Sequence, residues 1–234
     1  MNQEVELPDS ERRRITRDGV SLAFTVGLYG TAFGAAASSS GLSPWQALAL
    51  SALLFSGASQ FAVVGVGVIT SWSLAVTAIT GALLLGTRNA LYGLRMAPIL
   101  QVRGLKRVAA AQITIDESTG VAISQEHLGL PAMRHGFWVT GLGVYVFWNS
   151  FTLLGALGAD ALGDPAQFGL DAAVPAAFLG LLWPRLKGRT PWAVGMAAAI
   201  TVLILLPHAP VGVPVISSAI AAVIAGWKNG VDKK

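Results

Sequence analysis

The residues of this chain that could do chemistry are few, and they sit inside long apolar stretches. Phe55-Ser56-Gly57-Ala58-Ser59-Gln60-Phe61 sets three polar side chains around a glycine in the middle of one such stretch. Gly57 weakens a helix, and a break inside lipid is tolerated only where the freed backbone groups meet protein or water. Such breaks commonly form substrate sites, and a free helix N-terminus can hold a carboxylate. The competing explanation is packing, because small residues let helices approach and serines bond across them. Arg88-Asn89, with Tyr92 one helical turn on, forms a second group. Arg88 either meets a carboxylate ligand, pairs with Asp116 or Glu117, or snorkels to the headgroups, as expected for Arg95. Asp116-Glu117 is either a polar element of a solute path or a solvated pair. Asn149, beside Trp148, ties helices together or touches a ligand. Asp171 stands four residues before Pro175, which bends or breaks its helix. It binds an ammonium group or a coupling proton, or it starts a helix at the interface.

These types suit a small solute carrying both charges better than they suit catalysis. Gly57-Ala58-Ser59-Gln60-Phe61 fails the nucleophile-elbow pattern at its last position, and no His and acid partners accompany it. The chain has no cysteine, and His127, His135 and His208 lack ligand-like spacing, so neither a metal nor another cofactor is expected. The expectation is therefore no enzyme.

The elements that must position these residues follow from the charge distribution. Only 12% of the 234 residues are charged, about half the share usual for soluble domains. None is charged between Asp18 and Arg88, from Gly136 to Ala159, or from Thr190 to Trp227. A crossing helix needs about 20 apolar residues, whereas a soluble helix must show water a polar face. An all-α polytopic membrane protein follows, with about seven or eight transmembrane helices broken near the midplane. The predicted spans are 20–38, 45–69, 71–86, 88–100, 137–158, 168–183, 192–206 and 211–227, with Pro44 in the first turn of the second. Segment 108–130, interrupted by Asp116, Glu117 and Glu126, is an amphipathic connector or a span facing a polar cavity.

The net charge of +4 lies beside the apolar runs, which points to the lipid bilayer and not to nucleic acid. Residues 1–18, with Arg12, Arg13, Arg14 and Arg17, imitate the start of a signal peptide; an uncleaved first helix with a cytoplasmic leader is expected. The groups 103–107, Arg134, 185–189 and the tail 228–234 are placed on the same cytoplasmic side, and Asp160 and Asp164 outside. A bacterial-type inner membrane, with both termini cytoplasmic, fits that pattern. Residues 19–227 form one transport domain, with halves at about 20–102 and 137–227 and a connector at 103–136. An offset of 121 positions sets Thr31, Gly34, Ala35, Pro44, Gln46 and Ala52 on Thr152, Gly155, Ala156, Pro165, Gln167 and Ala173. Charge placement favours parallel halves.

Taken in order, these motifs resemble the AzlC family of branched-chain amino acid permeases. The resemblance rests on Gly41-Leu42-Ser43-Pro44-Trp45-Gln46, on Phe55 to Phe61, on Arg88-Asn89-Ala90-Leu91-Tyr92-Gly93, on Ile115-Asp116-Glu117, on Trp148 and on Gly169-Leu170-Asp171. It covers about 19–227. Asn89 stands where a histidine is expected, Gly86 where an asparagine is frequent, and Ile115 where a threonine is usual. The resemblance implies export of valine, leucine or isoleucine and pairing with a small hydrophobic AzlD-type subunit. A structural subunit whose partner binds the substrate is the alternative, with a membrane-embedded enzyme behind it.

Overall fold

The computed structural model describes residues 7–161, 179–180, 182–183, 186–209 and 213–231. Among the described residues there are helices and no strands. The helices are α1 (Asp9–Gly27), α2 (Tyr29–Ser39), α3 (Pro44–Leu53), α4 (Gly57–Val64), α5 (Trp72–Leu100), α6 (Leu105–Gln112), α7 (Asp116–Ser124), α8 (Leu130–Ala161), α9 (Arg189–Leu205) and α10 (Val213–Val231). Among the described residues, three rods are long and apolar enough to cross a membrane: α1–α2 taken together over Asp9–Ser39, α5 and α8. At 1.5 Å per residue each is at least about 43 Å long, enough for the hydrocarbon core and its headgroups. The chain is an all-α membrane protein.

The α1–α2 rod and α8 run parallel and touch along their length. A Cβ at Gly19 would meet Thr140, one at Gly27 would meet Phe147 and Trp148, and one at Gly34 would meet the backbone of Thr152. Reciprocally, a Cβ at Gly155 would meet the backbone of Thr31. Only glycine allows backbones this close, the small-residue packing usual between membrane helices. Gly19 with Thr140, and Gly27 with Trp148, are each 121 positions apart. Gly34 with Thr152 and Thr31 with Gly155 are 118 and 124 apart, so the contacts between these rods straddle the offset visible in the sequence.

Segment 45–69, predicted as one crossing, is a hairpin. Ser43 and Gln46 build a capping box around Pro44, which starts α3. The helix stops at Leu54, and Ser56 is extended before α4 begins. The chain then turns back: Ser40 Oγ donates to Val64 O at 2.9 Å, so the end of α4 returns to the level where α3 began. Each arm is about 12–15 Å long, half of a hydrocarbon core. The freed carbonyls at the tip are capped by side chains. Gln60 Nε2 donates to Ser51 O (3.1 Å) and Leu54 O (2.8 Å), and Gln112 Nε2 to Ala52 O (2.7 Å). Tyr145 Oη also donates to Ala52 O, at 3.3 Å.

Segments 71–86 and 88–100, predicted as two crossings, form the single helix α5. Gly86 alone cannot break a helix, and the charge of Arg88 needs no exit to water because Asp116 neutralises it. The connector is a second hairpin, entering from the opposite end. α6 leaves the end of α5 and brings Gln112 to the tip of the first hairpin. α7 returns, where Gln125 accepts from Arg14 Nη2 at 3.0 Å. Thr16 bonds His135, and Arg134 donates to Ile99 O, so the starts of α1 and α8 and the end of α5 share one end of the molecule. With both hairpins turning back, the basic groups 12–17, 103–107 and Arg134 lie at that same end of the described residues. The segment 168–183 lies mostly outside the described residues, and α9 and α10 match the last two predicted spans.

Candidate functional site

The tips of the two opposed hairpins, Leu54-Phe55-Ser56 and Thr114-Ile115-Asp116, meet at mid-depth against α5 and α8. Between them lies a cavity of about 270 Å³, a size for a metabolite and not for a drug-sized ligand. Ser56, Gly57 and Ala58 supply one wall, Arg88 and Asn89 a second, and Asp116 and Glu117 a third. The remainder is apolar: Val26, Phe55, Leu85, Ile115, Val144, Trp148 and Leu182, with Tyr29 at the exposed side.

Arg88 sits sixteen residues from one end of α5 and twelve from the other, close to the middle of the helix. Its Nη1 lies 2.9 Å from Asp116 Oδ2, with the side chains 30% and 18% exposed. Snorkelling is therefore replaced by ion pairing. Removing two charges from water is costly, and the cost is offset only by such a pair or by a ligand. Arg88 Nε and Asn89 Oδ1 are buried with no partner among the described residues. Leaving such groups unmatched costs about 1–3 kcal/mol each. A solute supplying an acceptor and a donor here would recover part of that.

The N-terminus of α4 faces the same space. Ser56 is extended and makes no side-chain cap, so no side chain caps the first amides of α4, and the residues that carry them, Gly57 and Ala58, line the cavity. These amides carry a partial positive charge. Opposite them, Asp116 and Glu117 begin α7 and supply negative charge. The cavity thus offers both signs within one small, mostly apolar space.

Trp148 fixes the floor. Its Nε1 donates to Gln60 Oε1 at 2.9 Å, and a Cβ at Gly57 would meet the indole at 3.0 Å, so glycine is what lets the hairpin tip rest on the ring. Gln60 is fully buried, and its three bonds go to Ser51, Leu54 and Trp148. Ser59 is also fully buried and donates to Ala82 O at 2.9 Å, joining α4 to α5. Both stand behind the cavity wall.

Of the predicted residues, Ser56, Gly57, Arg88, Asn89, Asp116 and Glu117 are brought together at the cavity. Ser59 and Gln60 support it. Tyr92 and Asn149 do not line it; Asn149 Nδ2 donates to Tyr145 O in its own helix, at 2.8 Å. Asp171 lies outside the described residues. The aliphatic walls Val26, Leu85, Val144 and Leu182, together with Gln112 and Tyr145 as caps of α3, were not singled out from the sequence. Gln112 carried a signal, as a lone amide at the end of the amphipathic run Leu105–Gln112; Tyr145 and the aliphatic walls carried none.

The family model described as AzlC protein matches residues 21–162. The chain belongs to the AzlC family. An uncharacterized membrane protein of Archaeoglobus fulgidus is 32% identical over 204 residues, covering 83% of this chain and 85% of that protein. No solved structure matches the chain. The matched region holds both hairpins, α5 and all of α8, and hence every described wall of the cavity except Leu182.

Proposed function

We propose that this AzlC-family protein transports branched-chain amino acids, exporting valine, leucine, isoleucine or close analogues across a bacterial-type inner membrane. The observation that carries this reading is the mid-depth cavity, where apolar walls surround charges of both signs. The carboxylate of an amino acid would lie at the N-terminus of α4, within reach of Arg88 Nε–H. Its ammonium group would lie toward Glu117 and Asp116, and its aliphatic side chain against Val144, Ile115 and Trp148. A lysine or glutamate side chain would bury an extra charge in the apolar part and be rejected. Opposed hairpins whose tips separate the two ends supply a barrier on each side of the site, as alternating access requires.

The positive-inside rule places the end bearing Arg12 to Arg17 and Arg134 in the cytoplasm, with both termini on that side. A small hydrophobic AzlD-type subunit completes the transporter, with α5 offering it the most exposed long helix among the described residues. Proteoliposome efflux of labelled leucine and valine, with this chain alone and with such a subunit, tests the proposal. Leucine leaving no faster than from empty liposomes in both preparations would refute it.

A further inference from the structure

At the basic end, α1 and His135 of α8 border an open, shallow groove of about 680 Å³ that the transport reading does not use. Among the described residues it is lined by Arg12, Arg13, Thr16, Arg17, Val20, Ser21 and His135, none of them acidic. Its depth along the chain is informative. Asp18 is the last charge before the long charge-free run, so the groove straddles the step from charged to apolar helix, where phospholipid headgroups lie.

The other cations near it are already engaged. Arg14 pairs with Glu11 at 2.8 Å and with Asp18 at 3.7 Å, and Arg17 shares Asp18 at 3.2 Å. Arg134 is bonded to Ile99 O and Gln101 Oε1. Arg12 and Arg13 are exposed and have no carboxylate partner among the described residues. The hydroxyl of Thr16 and the ring of His135, 2.8 Å apart, add polar atoms on the α8 side. Below them Val20 and Phe24 are 39% and 46% exposed on α1, a surface suited to an acyl chain. A solvated basic flank alone would require neither a groove against a second helix nor an apolar track leading from it.

We infer that this groove binds the phosphate headgroup of an anionic phospholipid, held by Arg12 and Arg13, with its acyl chain along Val20 and Phe24. Basic pockets between membrane helices recognise such headgroups, each cation contributing a charge contact. The full chain, purified in a neutral detergent, is titrated with phosphatidylglycerol, with phosphatidylcholine and with inorganic phosphate, and bound lipid is read by native mass spectrometry and by melting temperature. Phosphatidylglycerol is retained and raises the melting temperature, whereas phosphatidylcholine and phosphate do neither. Arg12→Gln with Arg13→Gln weakens phosphatidylglycerol binding about thirtyfold, two cations' worth. It leaves the lipid-free melting temperature unchanged, because neither arginine holds the fold. Lys106→Gln with Lys187→Gln, an equal loss of charge outside the groove, keeps the affinity within twofold. Equal retention of both lipids, or unchanged binding by the arginine double variant, overturns the assignment. A full effect from inorganic phosphate alone overturns the lipid as the occupant.

Discussion

Replacing Gln60 by leucine separates a residue that touches solute from one that holds the site together. The two side chains are similar in size, so packing changes little. The hydrogen bonds change completely, because Ser51 O, Leu54 O and Trp148 Nε1 each lose the partner they have. Hydrogen bonds between membrane helices measure about 0.6 kcal/mol on average and about 1.7 at most. Three of them come to about 2–5 kcal/mol. At about 2–4 °C per kcal/mol for a chain of this size, the melting temperature should fall by at least about 4 °C. Thermal unfolding of wild type and Gln60→Leu in the same detergent reads this directly, and leucine transport by whatever folded protein remains gives the second measurement. If Gln60→Leu melts within about 1 °C of wild type and yet fails to transport, Gln60 contacts the solute, and its assignment to the support of the hairpin is wrong.

Other expectations follow from the same geometry. Arg88→Gln takes from Asp116 the guanidinium 2.9 Å away, and breaking one side of such a pair costs up to about 3–5 kcal/mol, less here for its partial exposure. Arg88→Gln combined with Asp116→Asn should regain most of that stability while leucine binding stays lost; a double variant melting no better than the single one would remove the pair from the account. Because the chain has no cysteine, single cysteines at Ser43 and Val68 can be labelled in intact cells with an impermeant thiol reagent. Both should label, while cysteines at Ser10 and Lys106 should not; labelling at Ser43 without Val68 would mean that α3–α4 crosses instead of turning back. Gly34→Leu, which has no room against the backbone of Thr152, should prevent accumulation of folded protein, whereas Gly158→Leu, whose Cβ would meet no described residue, should be tolerated on the same blot.

Much of this arrangement was legible in the sequence, and the parts that were not share a physical reason. The charge-free runs disclosed a helical membrane protein, because lipid leaves a chain few other options. Ser43-Pro44-x-Gln46 marked the start of α3, and the polar cluster at Ser56 to Gln60 marked the break. Pairing of Arg88 with Asp116 was one of three options that the residues allowed. Hydropathy does not say whether a broken helix continues or turns back, since either course buries the same side chains. That choice rests on long-range bonds such as Ser40 to Val64 and Gln112 to Ala52, which no local pattern shows. The same limit divided α5 in two: a charge in mid-helix reads as a boundary until its counter-ion, 28 residues away, is known.

Transport of an apolar amino acid requires that the space between the hairpin tips bind it as a zwitterion. Ala58 lines that space and is half-buried, so Ala58→Cys puts the protein's single thiol on the wall. The measurement is the rate at which a small, soluble thiol reagent modifies it, with leucine, lysine, isoamylamine or isocaproate present in excess. Leucine should slow modification at least tenfold, whereas lysine and the two compounds lacking one charged group should have little effect. Modification at the same rate with and without saturating leucine would contradict the claim.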